Sequence, residues 1–199
     1  QEDADCVFQV SDFNFGDVDA DDELEEVRIT GLPAAGRLYE DNDGNGAIDA
    51  GEEITATGVD VSRAQIVSGA LKFKPDADEN NQSATPNSAY TDFNFQVSDG
   101  ANFNGTDRTM TINVDPVNDE PSFTVTNANV TVNEDDASAT PITGWATLDA
   151  GPSDEDANQD VERYIVSNVS NGALLSTGPS IDANGDLDFT LAADANGTV

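Results

Sequence analysis

The stretch from Asp41 to Glu52 has the residue types and spacing of a calcium-binding loop. It fits the twelve-position pattern D-x-D-x-N-G-x-x-D-x-x-E, with Gly46 at the position where the chain must turn sharply. In such a loop, positions 1, 3, 5, 9 and 12 supply side-chain oxygens, position 9 often through water, and position 7 supplies a backbone carbonyl. The predicted ligands are Asp41, Asp43, Asn45, Ala47, Asp49 and Glu52. The alternative is a solvated acidic hairpin tip without metal.

The charge of the chain favours a bound cation. Asp and Glu number 40 against 7 Lys and Arg, with no His, so the formal net charge is −33. No basic residue lies between Arg37 and Arg63, so we expect nothing in the chain to neutralise the loop carboxylates. Uncompensated negative charge opposes compaction, and calcium takes the oxygen ligands in which this chain is rich. We therefore predict Ca²⁺ as the cofactor and folding linked to calcium.

The same composition excludes several classes of function. Nucleic-acid binding requires clustered Lys and Arg, which this chain lacks. No apolar run approaches the 18 residues that read as a membrane span, so we predict no membrane insertion. The sequence contains no Gly-x-Ser-x-Gly motif, phosphate loop or nucleotide fingerprint, and the absence of His removes the commonest general base. We predict that the protein is not an enzyme.

The elements that would position the loop have a period of two. Alternating apolar and polar runs occur at 71–73, 93–97, 110–114 and 187–189, each bounded by Gly, Pro, Asn or Asp. Such runs predict short, half-buried antiparallel strands in a β-sandwich. Cys6, in the apolar run Cys6-Val7-Phe8, is expected to be a small buried residue, with an intermolecular disulfide as the alternative. The predicted fold class is all-β.

An internal repeat divides the chain. The strand at 71–73 matches the one at 187–189, and the strand at 27–29 matches a predicted strand at 163–165. The boundary falls near residues 115–121, which gives repeat 1 over residues 1–116 and repeat 2 over residues 117–199. The first repeat carries an insert at 40–53, which contains the predicted calcium loop, where the second has only a short turn at 182–186.

Several of these residues together resemble bacterial cadherin-like tandem repeats of giant RTX-type surface adhesins. They are the junction Asn118-Asp119-Glu120-Pro121, the Glu-Asp pairs, the DxDA-type turns and the run FNFQVSDG at 93–100. The resemblance implies tandem immunoglobulin/cadherin-like Greek-key β-sandwiches, each of about seven strands. It also implies an extracellular or cell-surface location, adjacent repeats as partners and calcium at the junctions.

The resemblance further implies ligands for a junction site, from an Asx-rich linker, an early Glu and a DxD turn. Carried over by position, these are Asp115, Asn118, Asp119, Glu134, Asp154 and Asp156. Pro116 departs from the family linker by replacing an Asp, and Pro121 comes one residue early. In the first repeat, Glu2, Asp17, Asp19 and Asp21 hold the equivalent places and would serve a junction with a preceding repeat. The alternative is acidic turns exposed to solvent.

The functional hypothesis is a calcium-stiffened structural spacer of a large extracellular or cell-surface bacterial adhesin. The alternatives are a module that binds a polysaccharide or a partner protein, and a filament subunit completed by strands from a neighbour. A sugar site needs an aromatic stacking platform, so the exposure of Tyr39, Tyr90, Phe103 and Trp145 discriminates between these hypotheses. Trp145 is expected to be a core filler, with sugar stacking as its alternative.

The repeat alignment also predicts an incomplete second sandwich. Repeat 1 continues after residues 71–73 through strands near 90–97 and 109–114, and repeat 2 has no counterpart of these two. A sandwich without two strands exposes its core and an unpaired sheet edge. We expect the chain to be an excerpt of a longer polypeptide, or to be completed by strands from a neighbouring chain.

Overall fold

The computed structural model describes residues 1–16, 22–81, 88–134, 141–152, 155 and 159–199. The chain forms two compact units, Gln1–Val117 (unit 1) and Asn118–Val199 (unit 2). Every strand pair in the described residues is antiparallel. The helical elements include α1, Arg63–Val67, and two 3₁₀ turns, Val10–Phe13 and Gly172–Leu174. The prediction of an all-β fold is confirmed.

The described residues of unit 1 form seven strands in two sheets. The strands are β1 Cys6–Val7, β2 Glu26–Gly31, β3 Arg37–Glu40, β4 Val59–Ser62, β5 Leu71–Lys74, β6 Thr91–Ser98 and β7 Arg108–Ile112. One sheet has the order β4-β2-β6-β7 and the other β1-β5-β3. In the four-stranded sheet, Val27 of β2 pairs with Val97 of β6 and Ile29 pairs with Phe95.

The period-two pattern of the strands builds the core of unit 1. Phe93, Phe95 and Val97 of β6 are buried, whereas Asp92, next to Phe93 in the same strand, is exposed. Apolar side chains of both sheets and of the Val10–Phe13 turn form a single cluster. The Phe8 and Phe93 rings meet edge to face at 5.5 Å, and Phe13 meets Phe95 at 5.2 Å. The alternation of residues in each strand thus supplies the apolar face that its sheet buries.

Replacing Phe93 with alanine should destabilise unit 1 by about 3–5 kcal/mol, the usual cost of removing a buried Phe ring and leaving a cavity. The matched control is Phe123→Ala, because Phe123 is 58% exposed and its loss should change stability by less than about 1 kcal/mol. Denaturant unfolding followed by near-ultraviolet circular dichroism measures both. Equal midpoints for the two variants would contradict the core assignment.

In unit 2, the residues that the structure describes form four strands in two separate pairs. They are β8 Ser122–Val125 with β9 Ala146–Asp149, and β10 Leu175–Ile181 with β11 Leu187–Leu191. An isolated bridge joins Ile142 to Leu187. Among the described residues of this unit, the buried apolar side chains are Ala146, Ala150 and Leu187. This is far less than the cluster that unit 1 buries.

The strand predicted at 163–165 is wrong. Residues 159–169 form no strand, and Ile165 is 78% exposed. Its counterpart in the repeat lies in β2, which has β4 on one side and β6 on the other. In the described part of unit 2, no strand lies beside residues 163–165, so their backbone groups have no ladder to join.

The predicted burial of Cys6 is also wrong. Cys6 and Val7 are both exposed, and only Phe8 of this apolar run is buried. The reason is that β1 is a two-residue strand at the edge of its sheet, where it pairs with β5 alone.

As for a membrane crossing, none of the helices in the described ranges is long and apolar enough to make one.

Candidate metal centre

The predicted calcium loop leaves β3 and returns beside it. Glu40 N donates to Glu52 O at 2.9 Å, and Ile54 N donates to Leu38 O at 2.9 Å. An isolated bridge between Tyr39 and Glu53 closes the same base. The two ends of the loop are therefore held side by side by backbone hydrogen bonds, as in a hairpin rather than between two helices.

Two glycines turn the loop around the carboxylate of Asp41. Gly44 and Gly46 have φ values of 75° and 76°, which side-chain-bearing residues rarely adopt. These turns direct backbone N–H groups toward the loop interior. Asp41 Oδ1 accepts hydrogen bonds from Gly44 N at 2.8 Å and Asn45 N at 3.1 Å, while Oδ2 accepts one from Gly46 N at 3.0 Å. The Asp41 side chain is 0% exposed.

Glu52 is fixed from the other end of the loop. Its Oε1 accepts a hydrogen bond from Asn42 N at 2.9 Å, and its Oε2 accepts one from Asp49 N at 3.0 Å. With these contacts, carboxylate oxygens of Asp41, Asp43 and Glu52 all lie within 4.8 Å of one another. Oxygens that share one calcium ion, each about 2.3–2.6 Å from it, lie at most about 5 Å apart. The donor chemistry and the spacing of this trio both fit calcium.

The other three predicted ligands lie in the same loop but form different contacts. The Asn45 amide donates to Asp43 Oδ2 at 2.9 Å and to Asp49 Oδ2 at 2.7 Å. Asn45 Oδ1 accepts a hydrogen bond from Ala47 N at 2.6 Å. The structure thus brings three of the six predicted ligands together, and it holds Asn45, Ala47 and Asp49 in a hydrogen-bonded chain beside them.

A basic residue that the sequence analysis missed also reaches the loop. Lys72 Nζ forms a hydrogen-bonded ion pair with Asp41 Oδ2. The expectation that nothing in the chain neutralises the loop carboxylates is therefore wrong. The reason is the strand pairing, because β5 runs antiparallel to β3 and places Lys72 opposite Tyr39. The hydrogen bond from Lys72, together with those from Gly46 N and Gly44 N, lowers the pKa of Asp41.

Glu2, predicted to serve a junction with a preceding repeat, lies beside the last residues of its own unit. It is 2% exposed, and its Oε1 accepts a hydrogen bond from Val117 N at 2.5 Å. Glu2 N donates to Asp115 O at 3.0 Å, and Asn80 Nδ2 donates to Glu2 Oε2 at 2.8 Å. Asn80, fully buried, was missed because nothing in its local pattern marks it. The predicted ligands Asp17, Asp19 and Asp21 lie outside the described residues.

The predicted junction ligands of unit 2 are only partly described. Asp119 N donates to Glu155 Oε1 at 2.9 Å, and the Glu155 side chain is buried. Asn118 Oδ1 accepts a hydrogen bond from Gln159 Nε2 at 3.2 Å, whereas Glu134 is exposed. Glu155 was missed because the DxD pattern selects its two neighbours. Those neighbours, Asp154 and Asp156, lie outside the described residues.

The four aromatic residues that discriminate between the functional hypotheses are buried or half-buried. Tyr39 is 0% exposed and donates to Asp5 Oδ2 at 2.7 Å. Tyr90 is also buried, and burial raises its pKa to about 12. The guanidinium carbon of Arg28 lies 3.9 Å from the centre of the Phe103 ring. Trp145, expected in the core, is half-buried, and its Nε1 donates to the carbonyl of Asn127 at 2.8 Å.

Fold and site together define a strongly acidic, all-β chain with a carboxylate-lined loop suited to a hard cation. No family model, curated protein or solved structure matches the chain.

Proposed function

We propose that the chain is a calcium-stiffened structural spacer of a large extracellular or cell-surface bacterial adhesin. The observation that carries the proposal is the convergence of Asp41, Asp43 and Glu52 within a loop that has the complete twelve-position calcium pattern. The resemblance to cadherin-like repeats supports the adhesin context. The seven strands of unit 1, in sheets of four and three, agree in number with a Greek-key sandwich of that kind.

The physical role of calcium in this proposal is to stabilise the folded form of a chain with a net charge of −33. Carboxylates gathered within 4.8 Å repel one another unless a cation or proton offsets their charge. A divalent ion bound by Asp41, Asp43 and Glu52 would tie the first residues of the loop to its last. The loop would then resist deformation, which is the property that a spacer requires.

The aromatic residues favour the spacer over the polysaccharide-binding alternative. Sugar rings stack on an exposed aromatic face, yet Tyr39 and Tyr90 are buried and Arg28 lies over Phe103. Trp145 is half-buried. The junction ligands that the resemblance implies stay a prediction, as does the location of the protein at the cell surface.

The Asp43→Ala variant tests the loop directly. It should bind one calcium ion fewer than the original protein, because it removes one of the three converging carboxylates. The strands around the loop should survive, since the hydrogen bonds that close its base are made by backbone atoms of 38–40 and 52–54. Calorimetric titration with calcium measures the stoichiometry, and circular dichroism measures the retained strands.

The matched control for that experiment is Asp182→Ala. Asp182 also accepts backbone hydrogen bonds within an acidic turn, from Asn184 N and Asp186 N, both at 2.9 Å. The turn at 182–186 is too short for the twelve-position pattern, so the number of bound calcium ions should not change. An Asp43→Ala variant with the stoichiometry of the original protein would refute the assignment of the loop.

A further inference from the structure

We propose that Lys72 is an internal counter-cation of the loop, which calcium must displace from Asp41 in order to bind. This inference rests on the proposed calcium loop and concerns what sets its affinity. Lys72 would hold the buried carboxylate in the calcium-free protein and would compete with the metal for it. The ammonium group of Lys72 would then take the place of calcium at Asp41 in the calcium-free protein, as a weaker cation.

The contacts of Asp41 show why a competitor is involved. Its carboxylate accepts four hydrogen bonds, three from backbone N–H groups of the loop and one from Lys72 Nζ. A carboxylate offers about four lone-pair sites, so every site on Asp41 is taken. Its side chain is 0% exposed and that of Lys72 only 16%. An ion that uses Asp41 as its first ligand must therefore remove one donor.

Lys72 is the donor that can leave. The three backbone donors are held by the turns at Gly44 and Gly46, whose φ values of 75° and 76° fix the loop. Lys72 acts through a flexible four-carbon stem and can move its ammonium group to solvent. A divalent ion would also repel an ammonium group that stayed on the same carboxylate. Binding is thus an exchange of one cation for another.

Two consequences follow from this exchange. In the calcium-free protein, Lys72 offsets the charge of a carboxylate that would otherwise be buried without a cationic partner, which is strongly destabilising. In the presence of calcium, the cost of breaking the ion pair is subtracted from the binding free energy. Removing the ammonium group should therefore lower the stability of the calcium-free protein and raise its affinity for calcium.

Lys74 provides a matched control on the same strand. It lies two residues from Lys72 on the same face of β5, and both side chains are only partly buried. Lys74 faces Asp5, with Nζ 3.6 Å from Oδ1, and Asp5 is not part of the loop. A Lys74→Met variant has the same change in net charge as Lys72→Met, so a general increase in attraction for calcium affects both equally.

The experiment compares the full chain with its Lys72→Met and Lys74→Met variants, by calorimetric calcium titration and by thermal melts in chelator. Lys72→Met should bind calcium at the loop about tenfold more tightly than Lys74→Met and should melt at a lower temperature in chelator. If Lys72→Met is unfolded in chelator, added calcium should restore its fold. Lys72→Arg, which keeps the charge, should retain more calcium-free stability than Lys72→Met.

The outcomes separate this inference from the proposed function. Equal calcium affinities of the two methionine variants would overturn the role of Lys72 while the calcium loop stands. A Lys72→Met variant as stable in chelator as Lys74→Met would overturn it too, as would failure of calcium to restore an unfolded variant. If neither the original chain nor any variant binds calcium at the loop, the proposed function is wrong, and the inference about Lys72 is wrong with it.

Discussion

Residues 118–199 expressed alone are expected to show no cooperative thermal melt, whereas residues 1–117 alone should unfold in a single cooperative transition. The difference follows from the apolar surface that each unit buries. Unit 1 packs the side chains of two sheets into one cluster, including Phe13, Phe73 and Phe93. In the described part of unit 2, only Ala146, Ala150 and Leu187 are buried apolar residues.

Those three residues supply little of the free energy that is needed to order unit 2. Burial of a large apolar side chain contributes roughly 1.5–3 kcal/mol, and ordering each residue of the backbone costs about 1–2 kcal/mol. Large apolar side chains of unit 2 instead remain exposed, with Phe123 at 58% and Ile165 at 78%. The strands described for this unit form two separate pairs, and isolated two-stranded sheets are marginally stable in water.

Calorimetry and an amide proton correlation spectrum test this expectation on the two pieces. Unit 1 serves as the internal control, since it shares the acidic composition and the solution conditions. A cooperative melt and a well-dispersed spectrum for residues 118–199 would show that unit 2 has a core of its own. That result would also contradict the repeat alignment, which assigns repeat 2 fewer strands than repeat 1.

The local pattern of the sequence predicted the strands that alternate strongly and have partners. Residues 93–97 lie in β6 and residues 71–73 in β5, where their apolar members face the core. The strand at 163–165, predicted from the repeat match with residues 27–29, does not form. A strand needs a neighbour for its backbone hydrogen bonds, and a match between two segments does not report whether that neighbour exists.

The sequence likewise predicted one part of the candidate site and missed another. The twelve-position spacing located the loop because its ligands are close in sequence, and Asp41, Asp43 and Glu52 do converge. Lys72 lies 31 residues from Asp41 and reaches it only through the pairing of β3 with β5. Asn80 meets Glu2 across 78 residues of sequence. Partners of this kind depend on strand register, which the spacing of motif residues does not contain.

Removal of calcium is expected to lower the melting temperature of unit 1 by on the order of 10 °C. A ligand that binds only the folded state stabilises it by about 2.7 kcal/mol at a hundred times its Kd. For a domain of about 100 residues, each kcal/mol shifts the melting temperature by roughly 4–8 °C. Because Lys72 already offsets part of the charge on Asp41, unit 1 should remain folded after chelation rather than collapse.

Thermal melts in calcium, in chelator and in magnesium test the link between the metal and the fold. Magnesium should restore little of the lost stability, because it demands tighter octahedral geometry and gives up its water reluctantly. The Asp43→Ala variant should respond to calcium less than the original chain, and Asp182→Ala should respond as the original does. A melting temperature that stays unchanged after chelation would show that calcium does not stabilise the fold of this protein. The three backbone donors and Lys72 would then hold the Asp41 carboxylate without a metal ion.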